Sequence, residues 1–239
     1  MLSIVDRIHY FERPRIKPFP FYRKTCYQLK GYKRGETVSE KNIRSSSFLA
    51  NWRRLFSCYI FTLLELLATQ TNLFDSLLTK WRKPVFFREI HMLNITPTEK
   101  VLHLGCGALP TATLFIAKEK KTHVVGIDNN SIAVKLAQSY IKKKQLSNLV
   151  TIEYGDGVNY PVHTFDVIYI AINVWPIDSV LLHLAQTMKP TARILCKGSH
   201  NDIAALLKKK EFQSLFSVKS SLEHPKTQSF LLTKKKVNG

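Results

Sequence analysis

The sequence predicts an α/β domain built on a doubly wound, parallel sheet and preceded by a helical lead-in. Three observations carry this expectation. From Glu99 onward, short apolar strands alternate with helices, the pattern of a parallel sheet with crossover helices. The first strand runs into a glycine-containing turn, Leu104-Gly105-Cys106-Gly107-Ala108-Leu109-Pro110, which opens a helix. The next two strands each end near an acidic residue, Asp128 and Asp156. Ligands of open α/β sheets bind at the carboxyl ends of strands, where all three features fall.

The elements follow in order. Residues 1–48 form an arm that mixes prolines, bases and aromatics, as in Arg13-Pro14-Arg15, Lys17-Pro18-Phe19-Pro20 and Lys30-Gly31-Tyr32-Lys33-Arg34. Proline blocks regular helix there. The arm either packs its aromatics on the body of the protein or grips a nucleic-acid strand by stacking and charge. Residues 49–98 read as a helical lead-in or cap. The apolar periodicity runs to Leu78, Thr71-Asn72 offers a break, and Pro84 opens a further helix over Val85 to Leu93. Residues 99–236 are expected to form the α/β domain. Its strands are expected at 100–104, 122–128, 150–154, 165–171 and 192–197, with helices at 111–118, 131–144 and 177–188. A helix over 202–210 and strands over 216–222 and 227–234 close the chain.

Composition bounds the function. The 239 residues are 45% hydrophobic and 22% charged, enough for a core of normal size without staples. Net charge is +19, which draws anions at long range but says nothing of the fold. The four cysteines, Cys26, Cys58, Cys106 and Cys196, form no CxxC pair and no zinc spacing. Single thiols of this kind fit a reduced, cytoplasmic setting, and no structural metal is expected. Leu55 to Ala68 is too short to span a bilayer and carries Glu65, so no integral membrane segment is expected. Nothing in the sequence fixes the oligomeric state.

The chemistry concentrates in the turn. Glycines let the backbone turn tightly and approach a ligand without a Cβ in the way. A dinucleotide fingerprint would place a third glycine where Pro110 stands. Asp128 can accept ribose hydroxyls, with Asn129 beside it, and Asp156-Gly157 can meet the exocyclic amine of an adenine. Each has a plain alternative as a turn residue. Together they point to an adenosine.

These residues carry a family resemblance. Val101-Leu102-His103-Leu104-Gly105-Cys106-Gly107, Asp128, Gly155-Asp156-Gly157 and Phe165-Asp166-Val167-Ile168-Tyr169 resemble the motif series of class I S-adenosylmethionine (SAM)-dependent methyltransferases. The resemblance covers roughly residues 99 to 235. It implies a Rossmann-like, seven-stranded, mostly parallel sheet whose last strand is antiparallel, and SAM as cofactor. It also implies that Leu104, Gly105, Cys106 and Gly107 meet the methionine part, Asp128 the ribose and Asp156 the adenine. Ala171-Ile172-Asn173 would line the floor between cofactor and a small-molecule acceptor. Many members carry an acidic residue where this chain has His103, and neutral His103 cannot supply that charge. His103 reads as a half-buried strand histidine.

A narrower resemblance also stands. Gly105-Cys106-Gly107-Ala108-Leu109-Pro110-Thr111 is similar to the Gly-x-Gly-Pro-Leu-Pro loop of nicotianamine synthase-like enzymes, with Ala108 in place of the first proline. That resemblance implies transfer of the aminocarboxypropyl group of SAM, and a catalytic glutamate on the helix before the first strand, here Glu89. The other reading of Glu89 is a surface residue paired with Arg88 or His91. The arm and the charge keep a third class open, a nucleic-acid-binding protein or RNA methyltransferase.

Overall fold

A computed structural model describes residues 72–198, 202–224 and 227–235. The arm and the first part of the lead-in, expected over residues 1–71, lie outside the described residues. The described elements are α1 (Asn72–Leu93), β1 (Val101–Leu104), α2 (Thr111–Lys120), β2 (Val124–Asp128), α3 (Ser131–Lys143), β3 (Val150–Tyr154) and β4 (Val167–Ile170). After them come α4 (Ile177–Thr187), β5 (Arg193–Gly198), α5 (Asp202–Leu207), α6 (Lys210–Leu215), β6 (Phe216–His224) and β7 (Thr227–Lys234).

The sheet has seven strands in the order β3-β2-β1-β4-β5-β7-β6. The first five neighbours pair in parallel, and β7 runs antiparallel to both β5 and β6. β1 and β4 are buried at every position. Both faces of such central strands are covered, which is why they read as continuous apolar runs.

Alternation along the strands builds two cores. Val101, Val124, Val150, Val167, Tyr169 and Leu195 face α1, α2 and α3. Leu102, Leu104, Ile127, Ile168, Ile170 and Ile194 face α4, α5 and α6.

Two expectations need correction. α1 is one helix that carries Pro84 in its interior, so the proline does not open a new helix. Proline there removes the bond to the carbonyl of Lys80. Both residues are exposed, on the solvent side of the helix. Phe86, Ile90 and Leu93 bury the stripe that holds α1 on the sheet. The helix expected over 202–210 is two short ones, because the chain leaves helical geometry at Lys209 (ψ 138°).

The C-terminus of α1 is tied down by Arg193 at the start of β5. Its guanidinium donates to the carbonyls of Leu93 and of Asn94 (2.8 Å) and grips Glu99 at 2.6 and 2.8 Å. Asn94, at φ 47°, closes the helix in the left-handed region. This clasp fixes the height of α1 over the sheet, and with it the position of Glu89.

Candidate functional site

Four adjacent strand ends, those of β3, β2, β1 and β4, are stitched together through the backbone. The N–H groups of Gly105 and Cys106 both donate to the carbonyl of Ile127, at 2.9 and 3.0 Å. The Ala171 N–H donates to Leu104 (3.0 Å), and the Gly155 N–H to Asp128 (3.1 Å). The turn after β1, the end of β2 and the loops after β3 and β4 therefore hold fixed positions side by side.

Gly105 and Gly107 have φ values of +74° and +69°, a region that L side chains rarely adopt. At Gly105 an added Cβ would lie 2.6 Å from Cγ2 of Val174 and 3.5 Å from Cβ of Ala171. The glycine turn and the loop after β4 thus approach closely, backbone against side chain.

Asp128 organises this turn. Its Oδ2 accepts from the Gly107 N–H and its Oδ1 from the Asn130 N–H, both at 2.9 Å. Burial pushes its carboxyl above the ordinary value, against the pull of those two N–H groups. Each oxygen retains a lone pair, so the carboxylate can still accept ribose hydroxyls. Asn129 is exposed beside it. The half-buried Asp156 shapes its own turn by accepting from the Val158 N–H at 3.2 Å.

Leu104 and Cys106 act differently from the glycines. Leu104 is buried in the core facing α4, and its Cδ1 lies 3.6 Å from where a Cβ on Gly157 would be. The Cys106 side chain packs under Gly126, with Sγ 3.3 Å from the corresponding point there. Both hold the turn from below, so only their backbones could meet a ligand. Gly157 and Ala171 are half-buried at the strand ends.

Glu89 is the main correction at the site. It is not a surface residue paired with Arg88 or His91, because it is 0% exposed. Its Oε1 accepts from Lys197 Nζ (2.8 Å) and Ser229 Oγ (2.7 Å), and its Oε2 from the Tyr169 hydroxyl (2.6 Å). Tyr169 and Lys197 come from β4 and β5, Ser229 from β7. None of these three hydrogen bonds reaches the glycine turn. Glu89 is linked to that turn through Tyr169, two residues before Ala171.

His103 extends this polar row. It is 3% exposed, more deeply buried than the sequence suggested. It pairs in register with Tyr169, edge to face at 4.9 Å. Its Nδ1 is hydrogen-bonded to Thr113 Oγ1 at 2.6 Å, and its Nε2 is buried without a hydrogen-bond partner. Burial, aided by the charge of Lys197, lowers its pKa to about 3, so His103 is neutral. Sequence reasoning missed Lys197, Ser229 and Thr113 as members of this network. The one available signal was polar residues at inward positions of otherwise apolar strands. Tyr154 and Trp175, near the ends of β3 and β4, are more than half exposed.

An open cavity of about 490 Å³, lined by Lys100, His123, Glu153, Tyr160 and Phe165 among others, shares no residue with these groups. Among the described residues no cluster of His, Cys, Asp and Glu could hold a metal ion, and no helix is long and apolar enough to cross a membrane.

The family model of nicotianamine synthase protein matches residues 84–237, more than half of the chain, and the match takes in both Glu89 and the glycine turn. The chain belongs to the nicotianamine synthase protein family. Solved structures agree on the fold. A glutamate-to-glutamine mutant of MtNAS in complex with S-adenosylmethionine superposes with a TM-score of 0.63 at 16% identity, covering 76% of each chain. An RNA methyltransferase from Salinibacter ruber in complex with S-adenosyl-L-homocysteine gives 0.53 at 15% identity, over 65% of this chain and 94% of that one. Among curated proteins, demethylmenaquinone methyltransferase of Lactiplantibacillus plantarum is 27% identical over 135 residues, 54% of this chain and 55% of its own. Phosphoethanolamine N-methyltransferase 1 of Zea mays is 34% identical over 113 residues, 44% of this chain and 22% of its own. This member of the nicotianamine synthase family thus spans between about a fifth and about half of the curated relatives it matches.

Proposed function

We propose that the chain is a SAM-dependent transferase that acts on a small-molecule acceptor. The observation that carries this reading is the Asp128 carboxylate. It is half-buried at the end of β2, holds the Gly107 N–H at 2.9 Å, and keeps lone pairs for a ribose. Gly107, at φ +69°, leaves the backbone without a Cβ where a cofactor would approach. Gly105, Cys106 and Gly107 would hold the methionine part, Asp128 and Asn129 the ribose, and Asp156 with Gly157 the adenine. Ala171 would lie under the reacting atoms.

SAM brings a sulfonium, which makes its attached carbons electrophilic. The protein then needs chiefly to align the acceptor lone pair with the C–S bond. The new bond forms to carbon, the C–S pair passes to sulfur, and the acceptor loses a proton. Methyl transfer is the main reading and leaves S-adenosylhomocysteine; the curated relatives are named as methyltransferases. Family membership and the buried Glu89 favour a second reading, aminocarboxypropyl transfer, which leaves methylthioadenosine. Incubation with SAM and candidate acceptors, followed by chromatography of the nucleoside product, separates the two. Formation of neither product refutes the reading.

Four scattered cysteines with no CxxC spacing support a cytoplasmic location. A nucleic-acid partner for residues 1–48 rests on their bases and interleaved aromatics. It would show as RNA affinity that falls steeply with salt and is lost when the arm is deleted.

A further inference from the structure

Charge is sorted between the two edges of the sheet. Asp128, Asp156, Asp178 and Asp202 stand at or just past the carboxyl ends of β2, β3, β4 and β5. The opposite, amino edge is basic. A helix that joins two parallel strands ends where the next strand begins, so α2 and α3 bring their last turns to that edge, ahead of β2 and β3. α2 ends in Lys118, Lys120 and Lys121, and α3 in Lys142, Lys143 and Lys144. Glu119 is exposed among them, while Glu99 and Asp166 at the same edge are already held by Arg193 and Lys189, both at 2.6 Å.

A lysine or two in the last turn complements a helix dipole. Six on two helices that pack over the same strands repel one another. Lys121 also sits in the left-handed region (φ 51°), where glycine is unstrained. Stability alone does not account for the cluster, whereas a polyanion would neutralise it.

A groove carries this edge onto the other face of the sheet. The connection from β3 to β4, residues 155–166, contains no helix, so that face of β2 and β3 lacks a crossover helix. The cavity of about 490 Å³ lies there, lined by Lys100, His123, Tyr160, His163 and Phe165 among others. Lys100 and His123 stand at the amino ends of β1 and β2, and His123 follows Lys121 by two residues. The Glu153 carboxylate in the groove accepts from the Tyr160 hydroxyl at 2.7 Å. Among the described residues, no large exposed apolar side chain belongs to α2, the last turn of α3 or the groove, so nothing there would enter a bilayer.

We propose that the amino edge docks single-stranded RNA, with phosphates on the lysines that end α2 and α3 and an unstacked base in the groove beside His163. None of these residues belongs to the arm, and the docked strand leaves the carboxyl edge open to cofactor and acceptor.

The test follows the fluorescence anisotropy of a labelled oligouridylate of about 15 nucleotides, titrated with the full chain at several salt concentrations. Wild type is expected to bind, more weakly as salt rises. The variant Lys118→Gln/Lys121→Gln/Lys142→Gln/Lys143→Gln should lower the slope of log affinity on log salt by about 3, the share of four phosphates on a single strand. Urea denaturation checks that it is folded. His163→Ala, at an exposed position, should weaken binding by about 5- to 100-fold, the range for loss of one stacked base, and leave the salt slope unchanged. Saturating S-adenosylhomocysteine should leave both values as they are.

The proposal is overturned if wild type does not bind the oligouridylate, if the folded lysine variant keeps the wild-type slope, or if His163→Ala binds as tightly as wild type. Displacement of RNA by S-adenosylhomocysteine would also overturn it, since the strand would then lie in the cofactor cleft. Binding to phosphatidylserine vesicles without binding to RNA would overturn it in favour of a membrane surface.

Discussion

Substitution of Gly105 by alanine tests the coupling between the glycine turn and the loop after β4. Two costs add. An alanine at φ +74° carries about 1–2 kcal/mol of backbone strain. Its Cβ would also stand 2.6 Å from Cγ2 of Val174, about 1 Å closer than ordinary contact. Relief requires the Val174 loop to shift, and overpacking of that kind costs about 1–3 kcal/mol. Gly105→Ala is therefore expected to destabilise the protein by about 2–5 kcal/mol in urea denaturation, and to weaken SAM in calorimetry. The two costs separate in a double-mutant cycle. Val174→Ala removes the clashing methyl, so the cost of Gly105→Ala in that background should fall to about 1–2 kcal/mol, the strain alone. Equal cost of Gly105→Ala in both backgrounds would refute the claim that the turn and the loop are packed against each other.

Further predictions concern charge. Glu89→Ala leaves Lys197, Tyr169 and Ser229 without their common acceptor, and a loss of about 3–5 kcal/mol is expected in urea denaturation. The Arg193 fork lowers the Glu99 pKa to about 2. Its stabilisation is present above about 4.5, the ordinary value, and is lost as pH falls toward 2. The stability advantage of wild type over Glu99→Gln should shrink over that interval. Asp128 has the opposite sign. Its pKa is raised by burial, so its contribution is full below 3.8 and is lost as pH rises through the raised value. Wild type should therefore lose stability relative to Asp128→Asn as pH rises above about 3.8, read in urea midpoints.

Much of the fold was legible because its signals are local. β3 and β7 fall at the residues expected from apolar runs, and the other core strands within two residues. The turn was legible through Gly105 and Gly107, which a left-handed backbone requires. What was hidden depends on distant partners. Nothing near Glu89 in sequence announces that it is buried, because Tyr169, Lys197 and Ser229 lie 80, 108 and 140 residues away. Pro84 misled because local propensity favours a helix start, whereas burial of Phe86, Ile90 and Leu93 carries α1 through it. The run Lys208-Lys209-Lys210 looked like one helix tail, and only the backbone at Lys209 reveals the break.

The central claim is that the ends of β1, β2 and β3 form a SAM site organised by Asp128. Calorimetric titration of the full chain with SAM, beside NAD as a control and with Asp128→Ala as the variant, tests it most directly. The account expects saturable SAM binding, no NAD binding, and at least a tenfold loss of SAM affinity in Asp128→Ala. SAM that fails to bind at millimolar concentration, or that binds Asp128→Ala as tightly as wild type, would contradict it.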